Sequence, residues 1–211
     1  EPGDVVIHND PYRGGCHMPE HAVIKAVYHE EELFGFVANI GHVAEIGGMA
    51  PGSFAATATE VYQEGLRLPL VKIMRKGEYV EDVWKVILAN HRTPDHTWGD
   101  FHAMIGSLHV AEQRLWELLG RYGVDYINQA NEELMDHAER WMRDELGRIP
   151  DGEYYFEDCV EDDGVTNDPT WIRLNLLIRG DEVVADYSAS DTQAQGIINC
   201  TYGVTASATY N

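Results

Sequence analysis

The 211 residues carry 36 acidic side chains against 15 lysines and arginines, a formal net charge of −21. Such a chain repels phosphate backbones and anionic membranes, which excludes a nucleic-acid or membrane partner from the expected reading. A hydrophobic content of 44% is ordinary for a globular protein of one large or two small domains, and no apolar run reaches the roughly 20 residues of a membrane-spanning helix.

Taken in chain order, residues 3–8 alternate as a short strand and run into NDPYRGG, a cluster of turn formers. HAVIKAVY (21–28) and LFGFVANI (33–40), joined by HEEE, read as a hairpin. With its turn at residues 30 and 31, paired positions sum to about 61, which sets Glu20 opposite Gly41 and His42 opposite Pro19. A glycine-rich loop, GHVAEIGGMAPGS (41–53), and a mixed segment to residue 90 follow. GSLHVAEQRLWELLGRYG (106–123) places Leu108, Ala111, Leu115 and Leu118 on one helical face, with Gly120 or Gly123 as the stop. A second amphipathic helix, 124–150, is ended by Gly147 and Pro150. Strands return at 153–159, in WIRLNLLIRG with a turn at Gly180-Asp181, and in EVVADYSAS.

Strands, then helices, then strands predict an α+β fold: a mixed or antiparallel sheet with an N-terminal hairpin, a central amphipathic helix pair and C-terminal strands. The opening runs almost straight into strand-like sequence and the end, VTASATYN, has no evident stop, so residues 1–211 read as a single internal portion of a longer subunit. Cys16, Cys159 and Cys200, widely spaced and with no C-x-x-C pair, fit a reducing cytoplasm.

GGCHMPEH, residues 14–21, raises the question of a metal. HMPEH matches H-x-x-E-H, the inverted zinc-peptidase motif, which needs both histidines on one helix face. Pro19 at its centre excludes that helix, whose interior penalises proline by roughly 3 kcal/mol. The hairpin offers another geometry. Cross-strand neighbours have Cβ atoms about 4.5–5.5 Å apart, so the loop with His17 and Glu20 meets His42 at the open end. Two imidazoles and a carboxylate hold a catalytic divalent ion and leave positions open. His17 makes a better ligand than the adjacent Cys16, and His21 is a candidate to orient a ligand by hydrogen bonding. The bland alternative is a chance cluster among ten histidines.

Six ordered blocks resemble the hydantoinase B/oxoprolinase family: GDVVIHNDPYRGGCHMPEH, FVANIGHVAEIGGMAPGS, TEVYQEGLRLPLVKI, LANHRTPDHTWGD, PDGEYYFEDCVEDDG and DYSASDTQAQGIINCT. The resemblance implies a B-type component of an ATP-dependent amidohydrolase that opens hydantoins, 5-oxoproline or related lactams. It also implies a hetero-oligomer: an A-type partner subunit with a kinase-like fold spends ATP to phosphorylate the substrate. The family's metal motif falls on His17, Glu20 and His42, implying zinc, manganese or iron. Its acid is often aspartate where this chain has Glu20, and a further ligand is expected upstream of residue 1.

For the hydrolase reading, Glu45 and Glu64 are the candidate general bases, each also readable as a solvated surface acid. Asp10 either bonds its own turn backbone or supports His17. Arg92 either meets an anionic phosphoryl group or forms an ordinary salt bridge. Neither GxxxxGK[ST] nor a strand-linked GxGxxG occurs, so ATP is expected on the partner and not on this chain. The alternatives are a subunit of an ATP-dependent ketone carboxylase of the acetone or acetophenone type, and a non-catalytic, metal-stabilised assembly module.

Overall fold

A computed structural model describes all residues, Glu1–Asn211. They divide into two compact units, Glu1–Trp116 with Asn199–Asn211, and Glu117–Ile198. The fold is α+β, and both of its sheets are antiparallel.

The first unit is built on five strands in the order β3-β2-β1-β4-β5. These are β1 (Val5–His8), β2 (Glu20–His29), β3 (Glu32–His42), β4 (Val71–Arg75) and β5 (Glu78–Tyr79). In β2, His21, Val23, Lys25 and Val27 are buried and their neighbours less so, the period-2 signature of a sheet covered on one face.

The β2–β3 turn lies at Glu30 and Glu31, both with positive φ (48° and 72°), the backbone of a two-residue hairpin turn. Next to the turn the pairing is as expected, His29 with Glu32 and Tyr28 with Leu33. Beyond it a β-bulge leaves Phe34 as an extra residue, and Val27 pairs with Gly35. From there the register differs by one from the sequence expectation: Glu20 lies opposite His42 and His21 opposite Gly41. A one-residue slip reverses the face of every side chain beyond it. Without the bulge, Phe36 and Ile40 would face the core; in the structure they are 66% and 65% exposed. The inner face of β3 is lined by Val37, Asn39 and Gly41 instead. A Cβ at Gly41 would stand 2.9 Å from Met104 Sδ, and Asn39 Nδ2 donates to Ser107 Oγ at 2.8 Å. Small and polar residues there let a helix approach.

That helix, α2 (Pro94–Tyr122), starts well before the residue 106 expected from periodicity. Pro94 suits a first helical position, and Asp95 complements the helix dipole. Its buried positions are Thr97, Phe101, Met104, Ile105, Leu108, Glu112 and Leu119, a stripe at helical spacing. The expected face included Leu118, which is exposed; Glu112 occupies the core side instead, ion-paired with buried Lys25 of β2. A charged residue in an apolar stripe disguises the true face. A shorter helix, α1 (Glu81–Ala89), buries Trp84 and Ile87 in the segment read as mixed, with Trp84 Nε1 donating to Ile73 O at 3.0 Å. A C-terminal helix, α4 (Tyr202–Tyr210), forms where the sequence predicts none.

The second unit holds α3 (Val124–Leu146) and the sheet β6-β7-β8, made of Gly152–Val160, Thr170–Arg179 and Glu182–Asp186. The β7–β8 turn uses Gly180 at φ 61°, where sequence places it. Asp163 organises the β6–β7 loop, accepting from Val165 N (2.9 Å), Thr166 N (2.6 Å) and Gly196 N (3.0 Å). The Thr166 and Val165 amides hold its carboxyl at about 2, below the ordinary 3.8. Its stabilisation is therefore complete above the unfolded value and lost as pH falls through the folded one. Wild type should be more stable than Asp163→Asn above about pH 4, the gap closing toward about pH 2. Acid unfolding of both proteins by circular dichroism checks this; parallel curves across that window refute it.

Candidate metal centre

The centre sits where β1, the 9–19 loop and the open end of the hairpin meet. After His8 the chain must reverse into β2, and Asp10 begins the reversal as N-cap of a 3-10 turn, Pro11–Arg13, accepting from Tyr12 N at 3.0 Å. Gly14 follows at φ 97°, and Gly15 N donates back to Asp10 O at 2.9 Å. Asn9, fully buried, ties its own turn to two other segments: its Nδ2 donates to Met18 O (2.7 Å) and Leu66 O (2.9 Å), and its Oδ1 accepts from Leu68 N (2.7 Å). Met18 is itself fully buried, so the loop is pinned at the residue next to His17. Val43 N to Pro19 O, at 3.0 Å, ties the end of β3 to the same loop.

This scaffold brings His17, Glu20 and His42 together. His17 Nδ1 lies 3.3 Å from Glu20 Oε2, and the His17 and His42 rings have centroids 5.1 Å apart. Glu20 stands directly across the strand pair from His42, on the same face. Phe54 stacks on His42, centroids 5.9 Å apart and planes 12° from parallel. The donor atoms that lie within 4.8 Å of one another are those of Cys16, His17 and Glu20, and His42 adjoins them through its ring contact with His17. Burial first, then the Glu20 charge, pushes the Cys16 thiol up. His17 is the basic side chain within 4.0 Å of the Glu20 carboxylate; no lysine or arginine reaches it. Imidazole nitrogens, a carboxylate without a fixed cation and a thiol are the donor types that suit zinc, manganese or iron, so the residues fit the expected group.

The other sequence candidates are placed elsewhere. His21, expected to orient a ligand, faces the core, because the bulge sets it opposite Gly41 on the far side of the sheet from Glu20. Its Nδ1 lies 3.3 Å from Pro19 O, its ring meets Phe101 edge-on at 5.1 Å, and burial lowers its pKa to about 4. It hydrogen-bonds none of the three candidate ligands. Asp10 serves its own turn, with Arg13 and Arg67 at 3.8 and 4.0 Å.

Glu45 is an anchor of the glycine-rich loop. Its carboxylate accepts from Gly47 N, from Gly52 N at 3.2 Å and from Arg92 Nη1 at 3.1 Å to each oxygen. Burial pushes its pKa up, but the Gly47 amide, Arg92 and the Gly52 amide outweigh it and hold the carboxyl below its ordinary range. An acid so engaged is a poor proton acceptor. Arg92 is equally committed, donating also to Gly48 O at 2.6 Å and Gly47 O at 3.1 Å. Glu64 differs: it is half-buried, and burial raises its pKa. Its segment packs on the glycine-rich loop, with Met49 N bonded to Gln63 O (2.8 Å) and Leu66 N to Ile46 O (2.9 Å). A Cβ at Gly48, φ 81°, would lie 2.6 Å from the Glu64 carbonyl, so only glycine permits the approach.

Sequence reasoning did not single out Asn9 or Phe54. Both stand in or beside motif stretches, HNDPYRGG and GGMAPGS-F, but their partners lie far along the chain.

Comparison with known proteins agrees with this fold. The hydantoinase B/oxoprolinase family matches residues 1–211. The chain is 40% identical over 180 residues to the beta chain of caprolactamase from Pseudomonas jessenii, covering 85% of this chain and 31% of that protein. It is 33% identical over 196 residues to the B component of a putative D-/L-hydantoinase of Pseudomonas sp. strain NS671, covering 90% and 33%. The crystal structure of ATP-dependent caprolactamase from Pseudomonas jessenii superposes with a TM-score of 0.91 at 37% identity, over 100% of this chain and 36% of that one. The chain belongs to the hydantoinase B/oxoprolinase family. It spans about a third of the length of the curated relatives it matches. No helix is long and apolar enough to cross a membrane.

Proposed function

We propose that this chain carries the hydrolytic centre of an ATP-dependent hydantoinase/oxoprolinase. It acts on a cyclic amide or imide phosphorylated by an A-type, kinase-like partner subunit in a hetero-oligomer, with the ATP bound on that partner. The observation that carries the reading is the meeting of His17, Glu20 and His42 on one face at the open end of the hairpin. The relatives named caprolactamase and hydantoinase support the hydrolase branch over the ketone-carboxylase one.

His17 and Glu20, whose donor atoms cluster with that of Cys16, and His42 across the strand pair from Glu20 would hold a divalent zinc, manganese or iron ion. Such an ion supplies Lewis acidity and lowers the pKa of water toward about 7. The chain's own residues do the rest. Phe54 fixes the plane of the His42 ring by stacking, and Asn9 holds the His17 loop through Met18. Glu64, whose carboxyl burial pushes above its ordinary range, is the candidate proton acceptor, whereas Glu45 holds the loop.

Elemental analysis of the full-length protein tests this. Near-stoichiometric metal is expected in wild type and in neither His17→Ala nor His42→Ala, both checked for folding. With the partner subunit and ATP, His42→Ala is expected to lose lactam opening altogether. A metal-free wild-type protein sinks the proposal, and consumption of ketone and bicarbonate in place of a lactam moves it to the carboxylase branch.

A further inference from the structure

A second polar cluster lies outside the metal centre. Asp10, Tyr12, Arg13, Arg67 and Pro69 line an open pocket of about 540 Å³, within the range of small-ligand sites. The Arg67 guanidinium lies 5.5 Å from the Tyr12 ring centre and 5.8 Å from that of Tyr62, an aromatic seat that orients the fork. Below it, the Asp10 side chain is only 6% exposed and faces Arg13 at 3.8 Å and Arg67 at 4.0 Å. These distances are too long for hydrogen bonds, and neither guanidinium donates one elsewhere in the chain. Arg67 is therefore seated on the two rings and Arg13 stands beside it facing solvent, both with their N–H groups unspent. Arg92, in contrast, spends its donors on Glu45 and the loop carbonyls. Two cations against one anion make this pocket locally positive in a chain of net charge −21.

We propose that this pocket binds a phosphoryl oxyanion, with Arg13 and Arg67 donating to it. The guanidinium fork matches phosphate oxygens two at a time, and a dianion replaces the solvent those N–H groups face. That the oxyanion is a phosphoryl group rests on the function proposed above; that the pocket takes an oxyanion rests on its own donors. Arg13 precedes His17 by four residues, so their Cα atoms lie within about 14 Å by chain reach. The back-bond from Gly15 N to Asp10 O shortens that path. The occupant is either the phosphoryl ester of the activated substrate or the inorganic phosphate it leaves, and both present the same oxygens.

Isothermal titration of the full-length protein, stripped of metal by chelator, with inorganic phosphate, methyl phosphate and acetate at fixed ionic strength tests the pocket. Both phosphates are expected to bind and acetate to bind far more weakly. Arg67→Gln and Arg13→Gln should each weaken phosphate on the order of 10-fold, while His42→Ala leaves it unchanged. Tighter binding of methyl phosphate identifies the ester as the occupant; tighter binding of inorganic phosphate identifies the product. Absence of phosphate binding, equal binding of acetate, or affinity untouched by both arginine variants overturns the proposal. Arg67 packs on two tyrosines, so Arg13→Gln, at a side chain 75% exposed, carries the test if the other variant fails to fold. Because the titration is metal-free, phosphate binding to a protein that never carries metal would separate failure of the metal centre from failure of this pocket.

Discussion

Asn9→Ala is expected to lower stability by about 2–4 kcal/mol and to release the loop that carries His17. Three hydrogen bonds end at this one fully buried side chain, to Met18 O, Leu66 O and Leu68 N. Each contributes about 1 kcal/mol net, and each backbone partner left buried and unpaired adds a desolvation cost. The damage is directional. Met18 adjoins His17, and Leu66 and Leu68 belong to the segment that follows Glu64, so one truncation loosens both the His17 loop and that segment. Asn9→Asp should be no milder, because it keeps the acceptor for Leu68 N but turns a negative carboxylate oxygen toward two carbonyls. Urea unfolding and metal content of the same preparations check the prediction together. Wild-type midpoint and full metal in Asn9→Ala would show that the loop is held by other means.

Glu45→Ala is expected to cost about 2–3 kcal/mol, less than the breaking of a fully buried pair, because the freed Arg92 side chain is 42% exposed and regains water. The loss includes the amides of Gly47 and Gly52 and the grip of Arg92 on the loop carbonyls. The kinetic pattern matters as much as the magnitude. A loop anchor lowers thermal stability and leaves the pH dependence of residual turnover in place. A general base does the reverse, and Glu64→Gln is expected to behave that way, flattening the acidic limb of the rate profile at little cost in stability. Differential scanning calorimetry beside pH–rate profiles of both variants decides the matter. A stable Glu45→Ala protein with its acidic limb gone would restore Glu45 as the proton acceptor.

The chain's own sequence was enough to determine the α+β class, the hairpin with its turn at Glu30-Glu31, the amphipathic α3, the Gly180 turn and the approach of the His17–Glu20 loop to the open end of the hairpin. These depend on neighbours a few positions apart: alternation in β2, helical spacing in α3, and the incompatibility of Pro19 with a helix interior. Asp10 as the cap of its own turn belongs to the same class. What a side chain meets across the fold was not legible. Glu112 broke the apolar stripe of α2 and hid its true face, because its partner, Lys25, lies on a strand far back in the chain. The Leu66 and Leu68 partners of Asn9 and the hold of Arg92 on Glu45 are likewise long-range.

Only the tertiary structure decided the register. Read from the turn alone, β3 would bury Phe36 and Ile40 and point His42 away from Glu20. Packing α2 on the sheet favours the slimmer face of Gly41 and Asn39, and the extra residue at Phe34 supplies the slip that presents it. The same slip sets His42 across from Glu20 and sends His21 into the core. Side chains alternate with a period of two, so one inserted residue changes no local preference yet reverses which face every later side chain occupies.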